Sequence, residues 1–181
     1  MSGSLFIVTG PPGAGKSTVA SLLAADSDRS VLVEGDAFFG FLASGFIEPW
    51  LAASHSQNEI VTEAAAAATG RFVYGGYSTV YDGVLGPWLL DHFLGLFPID
   101  DPSLSIDYAI LLPSVERCIE RVRAREGHGF SDEAATAHMH QQFSTAAIDA
   151  RHVFDNGDEQ PGTTAERLLA AAADRALRYR R

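Results

Sequence analysis

The stretch GPPGAGKST, residues 10–18, limits what this chain can fold into more than any other part of it. It follows the apolar run LFIVT (5–9) and opens KSTVASLLAAD (16–26), whose apolar residues recur at helical spacing. Strand, glycine-rich turn and helix form the context that the P-loop pattern demands, and Gly10, Gly13, Gly15, Lys16 and Ser17 fill it. The glycines let successive backbone N–H groups turn onto phosphate oxygens, and the helix N-terminus adds its partial positive charge. The segment Gly10, Pro11, Pro12, Gly13, Ala14, Gly15, Lys16, Ser17 and Thr18 is therefore the expected nucleotide-binding loop. Lys16 is expected to bridge the outer phosphates and the Ser17 hydroxyl to ligate Mg²⁺, with Thr18 at the base of the site.

Lysine usage points the same way. The 13 basic residues are 12 arginines and one lysine, and that lysine is Lys16. A chain that otherwise uses arginine for positive charge places its one compact ammonium where a side chain must reach between phosphates. A formal net charge of −10 argues against a general nucleic-acid or anionic-membrane binder. A length of 181 residues suits one domain, taken as 1–181. Longer apolar runs are broken by Gly, Pro or charge, and MSGSLFIVTG lacks a basic leader segment, so neither a membrane span nor a signal peptide is expected. Cys118 has no intrachain partner and reads as a buried thiol. The default is a cytoplasmic monomer or homodimer.

Further along, SVLVEGD (30–36) reads as a second buried strand and DAFFGFLASG as a short helix stopped by Gly45. A long Ala-rich helix is expected from Pro49 to about Tyr74, then a third strand, YSTVYDG (77–83), and a helix started by Pro87. SIDYAILLP (105–113) is the fourth strand, and 114–127 a helix with Ser114 as N-cap and Gly127 as terminator. A helix capped by Ser131, a fifth strand RHVFDN (151–156) and a last helix with Thr163 and Glu166 as a capping box complete the chain. Strands alternating with helices imply an α/β domain with a parallel sheet, whose ligands bind at the carboxyl ends of the strands.

Three features lie at those ends. Asp36 directly follows the second strand, where a carboxylate can orient a hydroxyl attacking the terminal phosphate and take its proton; the competing reading is that Asp36 caps the short helix after it. Phe38, Phe39 and Phe41 either wall an acceptor pocket or pack in the core. Asp82 ends the third strand, as an acid for Mg²⁺ or its water shell, or as half of an Asp-Gly turn. Arg117, Arg121 and Arg125 fall i, i+4, i+8 on one helix face among glutamates, which fits either a solvated ion-paired helix or, for Arg121 and Arg125, arginines folding over the phosphates. In the second reading they act in the transition state more than in nucleotide binding. The histidines are scattered and give no zinc spacing.

GPPGAGKST, VEGDAFF, YDG and the arginine-bearing helix, in that order, resemble the small P-loop kinases, the shikimate and gluconate kinases and more closely the chloramphenicol phosphotransferase-like group. The resemblance spans nearly the whole chain. It implies a three-layer P-loop fold with a five-stranded parallel sheet in the order 2-3-1-4-5, and a small lid at about 124–133. It also implies ATP or GTP with Mg²⁺ as cofactors and a small-molecule hydroxyl as acceptor, with no nucleic acid or membrane as partner. Lys16 and Ser17 match its nucleotide and metal residues, Asp36 its acceptor-engaging acid, and Arg121 or Arg125 its lid arginine. YDGVLGPW replaces the Gly-Gly signature of shikimate kinases, and the aromatic AFFGF leans from a sugar acid towards an antibiotic-like or nucleoside-like alcohol. A gluconate-type kinase and a nucleotide-binding adaptor without acceptor chemistry are the alternatives. A regulatory GTPase is disfavoured, because its Asn-Lys-x-Asp motif needs a second lysine.

Overall fold

Strand β1 (Ser4–Thr9) lies at the centre of a parallel sheet, flanked by β3 (Ser78–Asp82) and β4 (Ser105–Leu111), with β2 (Ser30–Glu34) and β5 (Val153–Phe154) at the edges. The order is β2-β3-β1-β4-β5, as the resemblance implies, and every pairing between these strands is parallel. The structure is a computed structural model that describes residues 3–99, 101, 103–124 and 130–179.

Strand alternation explains why these runs are apolar without interruption. Leu5 and Ile7 of β1 and Ile106, Tyr108 and Ile110 of β4 face one layer, with α2 (His55–Tyr74), α3 (Pro87–Leu94) and Phe143 of α5 (Glu133–Thr145). Val8, Val80, Ala109 and Leu111 face the other, with α1 (Lys16–Ala25), Cys118 of α4 (Val115–Arg123) and α6 (Pro161–Ala173). A sheet covered on both faces has no polar side, so the sequence signal is a continuous apolar run. No described helix is long and apolar enough to cross a membrane. Cys118 is fully buried.

Several boundaries differ from expectation, each for a local reason. The helix expected from Pro49 begins at His55, because the Ser54 hydroxyl donates to the carbonyls of Pro49 and Leu51 at 2.9 and 2.7 Å and holds 49–54 in turns. Residues 35–41 form a 3₁₀ turn, closed by the Leu42 N–H on Phe39 O, well before Gly45. Asp132 and not Ser131 caps α5, its Oδ1 accepting from Ala135 N at 2.9 Å. The expected capping box of α6 does not form: Pro161 occupies the first turn and Thr163 lies inside the helix. Ser114 caps α4 as expected, whereas the terminator Gly127 and residues 125–129 of the lid lie outside the described residues. Strand β5 is cut to two residues by a 3₁₀ turn at Ala150–His152 that Asp149 caps. The rest of that edge of β4 is covered by the C-terminal segment, with Tyr108 N on Leu177 O at 3.0 Å and Tyr179 N on Ile106 O at 2.9 Å.

Candidate active site

The phosphate loop joins β1 to α1 through three glycines at positive φ, +146° at Gly10, +81° at Gly13 and +93° at Gly15. At two of them a side chain has no room either. A Cβ on Gly10 would fall 2.2 Å from Leu111 O, and one on Gly13 would fall 2.2 Å from Cys118 O. The loop is thus wedged against β4 and α4, the backbone arrangement in which a glycine-rich loop can present N–H groups to phosphate. Ala14 N closes its base on Pro11 O at 3.2 Å. Lys16 is buried and its Nζ donates to Pro11 O at 3.2 Å, so the ammonium folds over the loop it is expected to serve.

Asp82, at the end of β3, faces that ammonium. The residue is 6% exposed, lies within electrostatic reach of the Ser17 side chain, and leaves Oδ1 buried with no partner. Burial pushes its pKa up, Lys16 and Ser17 pull it down, and Asp36 and Glu34 add repulsion; burial is the largest of these effects. An orphaned carboxylate oxygen beside a P-loop serine hydroxyl fits Mg²⁺, a hard cation that takes one or two protein oxygens and completes its octahedron with water and phosphate. No described group of three or more His, Cys, Asp or Glu could hold a metal elsewhere. The linkage follows from the raised pKa. The native state holds its proton to higher pH than the unfolded chain, so stability falls as pH rises from the unfolded carboxylate value through the raised folded one. Asp82→Asn is therefore expected to raise the melting temperature of the nucleotide-free protein at neutral pH by about 2–4 °C, for a gain on the order of 1 kcal/mol. The same substitution should lower the Mg²⁺ dependence of nucleotide binding. Thermal melts with and without ATP and Mg²⁺ check both halves, and a melting temperature that falls would contradict the electrostatic account.

Asp36 stands at the end of β2, in the first turn of the 3₁₀ segment, exposed. It is not the cap of that turn. Glu34 holds the cap position, and Asp36 Oδ1 instead accepts the Val84 N–H at 3.5 Å from the loop after β3. That loop is pinned beneath by Leu85, whose N–H donates to Thr9 Oγ1 at 2.7 Å and whose carbonyl accepts from Tyr108 Oη at 2.9 Å. Gly35 has a part that motif reading missed: a Cβ there would come 2.1 Å from Tyr81 Oη, so only glycine lets the buried tyrosine pass beneath the backbone that carries Asp36.

The α4 arginines divide. Arg117 pairs with Glu120 at 2.7 Å and Asp158 at 3.2 Å, and Arg123 pairs with Glu133, which is the solvated-face reading. Arg121 has no carboxylate among the described residues. It donates to the carbonyls of Gly13 and Ala14, both at 3.4 Å, and of Asn156 and Gly157 at 3.2 and 3.1 Å. Arg125 lies outside the described residues. Asn156, which the sequence reading passed over, is 4% exposed and donates Nδ2 to Ala14 O at 2.9 Å, while its Oδ1 is buried without a partner. Arg121 and Asn156 together hold the Gly13 and Ala14 carbonyls of the loop. Their signal is tertiary and leaves no mark in local spacing.

Fold and loop define a P-loop kinase architecture. The sequence profile described as an AAA domain matches residues 5–147, and the chain belongs to that P-loop kinase family. Comparison with curated protein sequences gives no match. Among solved structures the chain is similar to a gluconokinase from Sinorhizobium meliloti 1021, with TM-score 0.61 and 22% identity over 96% of this chain and 93% of that one. It is also similar to the Deinococcus radiodurans tunicamycin resistance protein, with TM-score 0.61 and 19% identity over 94% and 95%. A third likeness is to a chain of the Pnkp1/Rnl/Hen1 RNA repair complex, with TM-score 0.60 and 19% identity over 79% of this chain and 44% of that one. The chain spans less than half the length of that relative. At these identities the likeness is one of fold.

Proposed function

We propose that the protein is an ATP-dependent O-phosphotransferase that moves the γ-phosphate to a hydroxyl of a small molecule, an antibiotic-like or nucleoside-like alcohol. The observation that carries this reading is Asp36. Its carboxylate is free of helix capping and is held at the carboxyl edge of the sheet by Val84 N–H, within electrostatic reach of Asp82 beside Lys16 and Ser17. An adaptor that only bound nucleotide would have no use for it. The fold shared with kinases supports the reading, and the tunicamycin resistance protein lends weight to an antibiotic-like acceptor.

In this mechanism the loop N–H groups and Lys16 hold the outer phosphates and neutralise charge as it shifts to the leaving oxygen. Ser17 and Asp82 would hold Mg²⁺, which supplies charge neutralisation between the phosphates. Asp36 accepts the hydrogen bond of the acceptor hydroxyl, aims its oxygen at the γ-phosphorus and receives the proton late. Arg121 and Asn156 keep the loop in register. Because Arg121 grips four carbonyls of the loop and of 156–157, its role in this reading extends to nucleotide binding as well as to the transition state, where the sequence reading put most of its effect. Arg121→Ala and Asn156→Ala are each expected to weaken nucleotide binding by about tenfold, since each leaves buried carbonyl or amide groups unpaired. Calorimetric titration of each variant with a non-hydrolysable nucleotide checks this, and unchanged affinity in both would remove the clamp.

The direct test is turnover of purified protein with ATP and Mg²⁺ against a panel of alcohol-bearing antibiotics, nucleosides and sugars. ADP release accelerated by one acceptor, with a phosphate monoester formed on it, supports transfer. Nucleotide-dependent capture of a partner protein without turnover on any acceptor would support the adaptor reading instead.

A further inference from the structure

Three segments carry Asp36, meet it, or join those two through aromatic contacts, and none contains an arginine or lysine. They are residues 35–60, 83–98 and 130–147, all of them described. The structure joins them. Asp36 meets Val84, Trp50 meets Phe130 with ring centroids 5.2 Å apart, and Trp88 meets Phe143 at 5.1 Å. The loop carrying Trp50 is held in place by Gln57, which bonds both backbone groups of Ile47 at 2.8 and 2.6 Å. Cations elsewhere are committed. Lys16 and Arg121 serve the phosphate loop, Arg117 and Arg123 have carboxylate partners, and Arg71 sits in the last turn of α2, at its far end. Arg125 lies outside the described residues. His55 and His92 share Glu59, each at 3.1 Å, and His140 is bonded to Pro113 O.

In place of cations this flank offers rings. Phe41 is 79% exposed and Phe46 46%, with Phe38 edge-on to Phe41 and Phe39 edge-on to Phe46. Large apolar side chains clustered in water beside a polar group mark a surface that is covered in use. Carboxylate and phosphate groups are held by arginine, lysine or convergent N–H donors. An anionic acceptor here would find Asp36, Glu34 and the nucleotide's own charge, with no arginine or lysine among the described residues of this flank to offset them.

Resting on the phosphoryl-transfer reading, we propose that the acceptor is an alcohol without negative charge, whose aromatic or otherwise apolar body lies on Phe39, Phe41, Phe46 and Trp50. Its hydroxyl oxygen forms the new bond to the γ-phosphorus as the bond to the bridging oxygen of ADP breaks, and its proton passes to Asp36 and on to water. Sugar acids and nucleoside monophosphates are thereby disfavoured as acceptors.

A matched pair isolates charge: 4-methylbenzyl alcohol and 4-(hydroxymethyl)benzoate, with glucose and gluconate as an apolarity control. Phosphorylation is followed with ATP and Mg²⁺, and binding separately by the fluorescence of Trp50 in Trp88→Phe protein, since the chain has two tryptophans. The uncharged benzyl alcohol is expected to exceed its carboxylate on the order of tenfold or more in kcat/KM and in affinity, because like charges brought together oppose binding. It should also exceed glucose. Phe41→Arg is expected to narrow or reverse the charge preference. Equal or better use of the carboxylate overturns the proposal and leaves phosphoryl transfer standing. Failure of all four alcohols to accept phosphate or change Trp50 fluorescence, in protein that still binds and hydrolyses ATP, overturns the proposal, and phosphoryl transfer falls with it only where the wider panel of antibiotics, nucleosides and sugars is refused as well.

Discussion

Lys16→Ala is expected to abolish measurable phosphoryl transfer, with a loss in kcat of at least about 10²–10³, the cost of removing one preorganised donor from developing charge. The chain has no second lysine to substitute for it, and the nearest described arginine on α4, Arg121, is occupied by four carbonyls. Lys16→Arg should fail almost as badly. The ammonium sits 7% exposed over Pro11 O and opposite Asp82, and a planar guanidinium does not fit that slot without moving the loop. The alanine variant also takes from Asp82 the positive charge that offsets its burial, so Asp82 should hold its proton to still higher pH and lose Mg²⁺ affinity. Steady-state turnover of both variants, with folding checked by circular dichroism, is the measurement. Turnover by Lys16→Ala within a few fold of wild type would mean that the glycine-rich loop does not carry the nucleotide in a catalytic pose.

What could be read from the sequence follows a physical division. Features written in consecutive residues were legible: the loop glycines, whose φ values and close contacts with Leu111 and Cys118 leave no other residue type, and the apolar runs of β1 and β4. Their positions directly after the second strand and at the end of the third put Asp36 and Asp82 at the carboxyl edge, where the structure has them. Features made by side chains reaching across the chain were not legible. Nothing in LPSVERCIERV says that Arg121 grips carbonyls 108 residues away while Arg117, four residues earlier, pairs with carboxylates. Asn156 touches Ala14 across 142 positions. Local bonds also overrode propensity: the alanine-rich pattern favoured a helix from Pro49, but Ser54 and Asn58 held Pro49 O in a turn at 2.9 and 2.7 Å. The Phe38–Phe41 question resolved unevenly, Phe38 packing against the core and Phe41 standing out from it.

Asp36→Asn is expected to cost about 10²–10⁴ in the rate of transfer, the usual worth of general-base help, while nucleotide affinity stays within about twofold. The substitution is well posed because asparagine keeps the shape and the acceptor oxygen that Val84 N–H uses at 3.5 Å. Stability should barely change: Glu34 holds the N-terminal position of the turn, and Asp36 makes no capping bond for a substitution to break. The loss then isolates proton acceptance and hydroxyl orientation. Phosphoryl transfer has a loose transition state in which the proton leaves late, so the carboxylate acts first by aiming the hydroxyl, and an amide aims it less well because it presents donors on one side. Hydrolysis of ATP without acceptor should fall less than transfer does, since water needs no aiming by a group set for an alcohol. The ratio of transfer to hydrolysis is therefore the sharper readout. Near-wild-type transfer by Asp36→Asn with the true acceptor would sink the assignment of Asp36 as base, and the search for one would move to Glu34, the other carboxylate that Asp82 feels from the end of β2.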